Sequence, residues 1–173
     1  MPRMKIDDVD LKILATLQDH GRMTNVDLAE KVGITAPPCL RRVRGLEETG
    51  HIRGYHAELD PERLGFGITV IAMISLKSQT DVDLKAFEEM THNWPLVREC
   101  YLLNGDVDFL LKIVARDLGE YQRFLTNHLT SAPGVGSIKT ALMIRASKSA
   151  PGVPVELLSA MPEKAADEPT GEA

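Results

Sequence analysis

Apolar residues recur at helical spacing three times before residue 50 and then switch to an alternating pattern near residue 68, so the chain divides into a helical head and a mixed body. In the first segment Val9, Ile13, Leu14 and Leu17 form a stripe that begins after Asp7 or Asp8, residue types suited to an N-cap, and ends near Gly21. A second helix opens at Thr24 or Asn25, carries Leu28, Ala29 and Val32, and stops at Gly33, whose freedom in φ suits a tight turn. Thr35 restarts the chain as another N-cap. Pro37 and Pro38 then fall in a first turn, where a missing N–H costs little, and Leu40, Val43 and Leu46 or Glu47 follow helical spacing as the core face. With residues 51–60, HIRGYHAELD, as a wing strand and connector, this pattern predicts a winged helix-turn-helix.

From Ile68 the period becomes that of a strand, with Val70, Ala72, Ile74 and Leu76 on one face and Ile71 and Met73 on the other. A helical stripe follows (Leu84, Phe87, Met90, Trp94). Two strands, VRECYLL and DFLLKIVA, are then joined at Asn104-Gly105, a strong hairpin-turn signal, before a second helical stripe (Leu118, Tyr121, Leu125, Leu129) and a last strand, VGSIKTALMIR. The order βαββαβ predicts an α+β fold with a ferredoxin-like antiparallel sheet and both helices on one face. Its other face would be open in a monomer. Ile71, Met73, Ala141 and Met143 are expected to cover it by pairing with a second copy in a two-fold dimer, which would also present two reading helices to two half-sites. The expected divisions are residues 1–60 for the head with its hinge strand, 61–147 for the body, and 148–173 for an acidic, proline-containing tail expected to be largely disordered.

Charge sharpens this picture. The chain carries a formal net charge of −5, yet Lys31–His56 holds five basic residues against two acidic ones, so positive charge is concentrated where a duplex would lie. A helix with three arginines is by itself usually a solvated face. Following a helix, a glycine turn and another N-cap, Arg41, Arg42 and Arg44 instead read as groups aimed at phosphates and major-groove base edges. Thr35, Ala36, Pro38 and Cys39 of the first turn are expected to enter the groove with them, and Arg53 in the wing to touch the backbone of double-stranded DNA. No secretory signal is visible, and the longest apolar run, residues 68–76, is short of the roughly 20 residues of a membrane span, so a cytoplasmic protein with no membrane partner is expected. Cys39 and Cys100 are too few for a disulfide framework and are expected as reduced thiols.

The segments DDVDLKILATLQDHGRMTNVDLAEKVGI, PPCLRRVRGLEETGHIRGYHAELDPERLG, ECYLLNGDVDFLLKI and PGVGSIKTALMI resemble, in the same order, those of the Lrp/AsnC family, the feast/famine regulators. The resemblance covers the chain to about Ser147. It implies a transcriptional regulator with an N-terminal winged helix-turn-helix, a hinge strand and a C-terminal sensing domain that builds dimers, often octamers or other rings. It also implies a small effector, usually an amino acid, bound in clefts between sensing domains beside the loop that matches Asn104–Asp108. The residue types fit: Gly105 allows close approach to the backbone, and Asp106 and Asp108 could receive an α-ammonium group, Asp108 being the best single sensing residue. Val135 and Gly136 of the PGVG loop, and Thr140 on the adjacent strand, are the other expected lining residues. Read without the resemblance, the same stretches are a plain hairpin turn, a helix-to-strand loop and an ordinary strand position.

An enzyme is not expected. The five histidines are scattered, no Cys-x-x-Cys, His-Glu-x-x-His or Gly-x-Ser-x-Gly spacing occurs, and no metal or cofactor is called for. The competing hypothesis is a metabolite-binding interaction module whose helix-turn-helix contacts protein rather than specific DNA.

Overall fold

The computed structural model describes residues 6–158; the remainder of the expected disordered tail lies outside the described residues. Two units are resolved: Glu58–Lys148, and the residues before it together with the segment that begins at Ser149. In the head, α1 spans Asp8–Asp19, α2 Asn25–Val32 and α3 Ala36–Glu48. Each start has a local chemical cause. Asp7 accepts from the backbone N–H groups of Val9 and Asp10, and Asp10 accepts from the N–H of Asp7, a reciprocal capping box. The hydroxyl of Thr24 accepts from the Asp27 N–H, and α2 ends on Gly33 at φ 79°, where the left-handed turn lets the Ile34 N–H reach the Ala29 carbonyl. Thr35 sits at the N-cap position of α3 without a side-chain capping bond.

The head core is Ile13, Leu28, Ala29, Val32, Cys39 and Leu46. On α3 the inward stripe is Cys39, Val43 and Leu46. Leu40, expected in the core, is turned toward solvent at 39% exposure, because the stripe of Cys39, Val43 and Leu46, spaced by four and three residues, leaves it at the flank of the buried side. The expected wing strand is also absent: residues 53–60 join no ladder among the described residues, and this segment is fastened to α3 by the Ile52 N–H on the Leu46 carbonyl, the Tyr55 hydroxyl, which donates to Glu47 at 2.9 Å, and a hydrogen bond between His51 and the Thr49 hydroxyl at the helix end.

The second unit runs β1 (Ile68–Leu76), α4 (Asp81–His92), β2 (Val97–Leu102), β3 (Phe109–Ala115), α5 (Leu118–Phe124) and β4 (Val135–Leu142). The sheet order is β2-β3-β1-β4 with every pair antiparallel, the ferredoxin-like arrangement. The register sets Val70 beside Ile113, Ala72 beside Leu111 and Ile74 beside Phe109, so these six side chains share the face on which Phe87, Tyr121, Phe124 and Leu129 pack. Trp94 closes the layer, its ring edge-on to Phe87 and Phe124 at centroid distances of 6.0 and 5.6 Å. The opposite face presents Ile71, Met73, Leu110 and Val114, all half-buried.

Two local expectations change. The buried stripe of α5 is Tyr121, Phe124 and Leu129 rather than one including Leu118, which is 57% exposed; a π turn over Leu125–Leu129 adds the residue that shifts the register. The Asn104-Gly105 signal does not produce a two-residue hairpin. Leu102 pairs with Phe109, leaving a six-residue loop closed by the Leu103 N–H on the Asp108 carbonyl, and neither Asn104 nor Gly105 adopts positive φ.

Leu111 is fully buried in this core, so Leu111→Ala is expected to cost about 2–5 kcal/mol. Urea unfolding followed by the fluorescence of Trp94, the single tryptophan, checks this directly.

Candidate nucleic-acid interface and effector loop

Helix α3 is held so that one side is unavailable and the other free. Nη1 of Arg42 donates to Asp7 at 2.8 Å and to Asp10 at 2.9 Å, and Asp10 is only 2% exposed. Arg42, one of the three arginines expected to read DNA, is therefore held as a clamp between α3 and the first turn of α1, because a buried carboxylate at that cap requires a counter-charge. The Asp7 carboxyl is held below its usual range, first by the Asp10 backbone N–H and then by Arg42. The expectation for Cys39 is corrected. It is fully buried, burial raises its thiol pKa, and it cannot reach a base edge.

Thr35, Pro37, Leu40, Arg41 and Arg44 remain exposed on the outward side of α3, with Ala36 and Pro38 half-buried at its start. Pro37, Leu40, Arg41, Arg44, Gly45 and Glu48 border one shallow concavity there. Arg53 is exposed on the following segment. Asn25 donates to the Ala36 carbonyl at 2.9 Å, fixing α2 to the entry of α3. Leu40 was missed as a surface residue; the i, i+4, i+7 pattern of Cys39, Val43 and Leu46 was the signal that could have placed it.

In the second unit, Asn104, Gly105 and Asp106 are exposed at the tip of the loop between β2 and β3. Asp108 is not. At 6% exposure its carboxylate accepts from the Leu76 N–H at 2.6 Å and from the Gln79 amide at 2.7 Å, while its own N–H donates to the Ile74 carbonyl. The residue expected to receive a ligand ammonium is thus a latch tying the start of β3 to the end of β1. On the other side of the same segment the Lys77 N–H donates to the Gly134 carbonyl, and Val135 pairs with Leu76. Gly134 takes the left-handed φ of 81° in this loop, whereas Gly136 is needed for closeness: a Cβ there would lie 3.2 Å from the Ser75 carbonyl oxygen.

Residues 76–79, at the end of β1 and just beyond it, therefore bring the loops around Asn104 and Val135 to one end of the sheet. Thr140 does not join them. It is exposed and pairs with Ala72, further along the strands. A depression of about 380 Å³ adjoins Pro133 and Gly134 and is bordered by Asp83, Ala86, Glu89, Met90 and Asn93. Among the described residues no helix is long and apolar enough to cross a membrane.

Comparison with known proteins agrees with this geometry. Residues 6–53 match the winged helix-turn-helix DNA-binding family and residues 69–153 the Lrp/AsnC ligand binding domain. The chain is 51% identical over 148 residues to a leucine-responsive regulatory protein of Rhizobium meliloti, an alignment covering 86% of this chain and 95% of that one. The chain belongs to the Lrp/AsnC family. Another Lrp/AsnC-like relative, the Bkd operon transcriptional regulator of Pseudomonas aeruginosa, is 48% identical over 82% of this chain and 92% of its own. Among solved structures, a transcriptional regulator of Neisseria meningitidis in complex with L-Met superposes with a TM-score of 0.84 at 33% identity, covering 89% of this chain and 99% of that one. An AsnC family transcriptional regulator from Agrobacterium tumefaciens gives 0.82 at 33% identity, covering 88% and 99%.

This Lrp/AsnC chain is accordingly a transcriptional regulator with a DNA-binding head and a ligand-binding unit, and not an enzyme. Within it, Arg42→Ala strands Asp10 and is expected to destabilise the head by about 1.5–3 kcal/mol. Because the Asp7 carboxyl lies below its ordinary value, its share of that stabilisation is complete above about pH 4 and is lost as pH falls through the lowered pKa. Urea denaturation of wild type and Arg42→Ala between pH 7 and pH 2 should show the difference between the two stabilities narrowing in acid by the share of Asp7. Asp108→Ala leaves the Leu76 N–H unpaired and is expected to cost about 1–3 kcal/mol, read from the unfolding midpoint of Trp94 fluorescence.

Proposed function

We propose that the protein acts as a homodimer that sets the outward side of α3 into successive major grooves of double-stranded DNA and responds to an amino acid held at the loop end of the sheet. The observation that carries the DNA contact is the exposure of Arg41 and Arg44 on a helix whose third arginine is paired with Asp7 and Asp10, in a chain that is acidic elsewhere. These two guanidiniums, with Arg53 on the following segment and Thr35, Ala36 and Pro38 at the electropositive start of the helix, are the contacts to backbone and base edges. Leu40, between them, adds an apolar surface of the kind that suits a thymine methyl.

Support for the effector site comes from the junction of loops. The loop that carries Asn104, Gly105 and Asp106 is anchored to residues 76–79 through Asp108, and the loop that carries Val135 and Gly136 through Gly134 and Val135. A ligand bridging them would bear on β1, β3 and β4 together. An amino acid is the class favoured by the free Asp106 carboxylate and exposed backbone, and by the L-Met carried by the Neisseria relative. The half-buried apolar sheet face, Ile71, Met73, Leu110 and Val114, is the surface on which a second copy pairs, and assembly beyond a dimer would extend from it. Its site of action is the cytoplasm, where a bacterial duplex is found.

The test is fluorescence anisotropy on duplexes selected from a random pool by the full-length protein, at several salt concentrations and with each of the twenty amino acids. Arg41→Ala and Arg44→Ala are each expected to weaken binding and to lower the slope of log K against log salt by about 1. One amino acid should shift the dissociation constant by about 5-fold or more. Salt-independent binding, or none, would overturn the DNA reading in favour of an interaction module. Salt-sensitive binding that no amino acid shifts would overturn only the effector class.

A further inference from the structure

The tail returns to the head. Beyond β4 the chain reaches α1, where the side-chain amide of Gln18 bonds both backbone polar groups of Val153: its Nε2 donates to the Val153 carbonyl at 2.9 Å, and its Oε1 accepts from the Val153 N–H at 2.8 Å. Val155 opens a short 3₁₀ turn, Val155–Leu157, and is 4% exposed beside a concavity bordered by Asp8, Leu11, Lys12 and Ala15 of α1. Gly152 precedes it at φ 63°, and a Cβ on Gly152 would collide with the Gln18 side chain. A bidentate clamp, a left-handed glycine pressed against it and a buried valine make a built docking surface, contrary to the disorder expected for this stretch.

Its place in the chain gives this contact a consequence. The strand that starts beside the proposed effector loop, at Val135, ends at Leu142, and ten residues later the chain is fastened to α1. The first turn of α1 in turn grips α3 through Asp7, Asp10 and Arg42. The head is thus joined to the sensing unit twice, through residues 53–67 and through residues 143–152. One irregular connector leaves a head free to reorient; a second attachment removes some of that freedom. The Gln18 hydrogen bonds that hold the strap are solvent-exposed, whereas the head core is buried.

We propose that the outer face of α1 is a docking site for the chain's own residues 152–158, and that this docking presets the heads of a dimer for two half-sites at once. The proposal rests on the DNA-binding reading above.

The experiment compares full-length wild type with Gln18→Ala, Gly152→Val and the double variant Gln18→Ala/Val155→Asp. Anisotropy is measured on a selected duplex and on the same duplex with one half-site scrambled. The variants should bind the scrambled duplex like wild type and lose about 5-fold or more on the intact one. Equal losses on both duplexes would overturn the proposal by making the strap a prop for the head fold, and no loss on either would make it idle. Wild type that binds no duplex would instead overturn the DNA-binding reading, and this inference with it.

Discussion

The orientation of the reading helix depends on one buried carboxylate. Asp10 is almost fully enclosed and shares Arg42 with the exposed Asp7, whose own oxygens cap α1. Desolvating a charge is costly unless a counter-charge is supplied, so the first turn of α1 and the middle of α3 cannot separate cheaply. That one contact also chooses which side of α3 faces out. With Arg42, Cys39, Val43 and Leu46 directed inward, helical geometry leaves Pro37, Leu40, Arg41 and Arg44 for a partner. A basic helix becomes a surface with a direction.

A comparable arrangement occurs at the loop end of the sensing sheet. Asp108 is buried without a cationic partner and is held by a backbone N–H and an amide group, so the loop end of the sheet is built around a satisfied acceptor rather than an ion pair. Its partners lie on residues 76–79, which also bond Gly134 and pair with Val135. The flanking loops therefore share an anchor. A ligand engaging either one acts on a segment to which the other is tied, which is the physical requirement for a small molecule to move more than its own pocket.

The βαββαβ order, the α+β class and the membership of the Lrp/AsnC family were legible in the residues because hydrophobic period, N-cap chemistry and glycine placement agree along most of the chain. Roles were less legible. Three arginines in four positions look alike in a sequence, and only the position of Asp7 and Asp10 in space distinguishes Arg42 from its neighbours. The Asn104-Gly105 pair signals a tight hairpin, yet the Leu102–Phe109 pairing and the inward Asp108 open the loop to six residues. Residues 51–60 have the composition of a strand without a ladder to join, since a strand exists only by virtue of a partner.

The tail shows the division most clearly. Proline, acid and small residues argue against a packed core of its own, and locally that is correct: residues 152–158 form only a 3₁₀ turn. Their order comes from Gln18, more than 130 residues earlier in the chain. By itself the sequence determined which elements form, their succession and the family, because these follow from interactions between residues a few positions apart. The tertiary structure alone decided which arginine is a clamp, which aspartate is a latch and where the tail is fastened, because each depends on a charge or hydrogen bond supplied from a distant part of the chain.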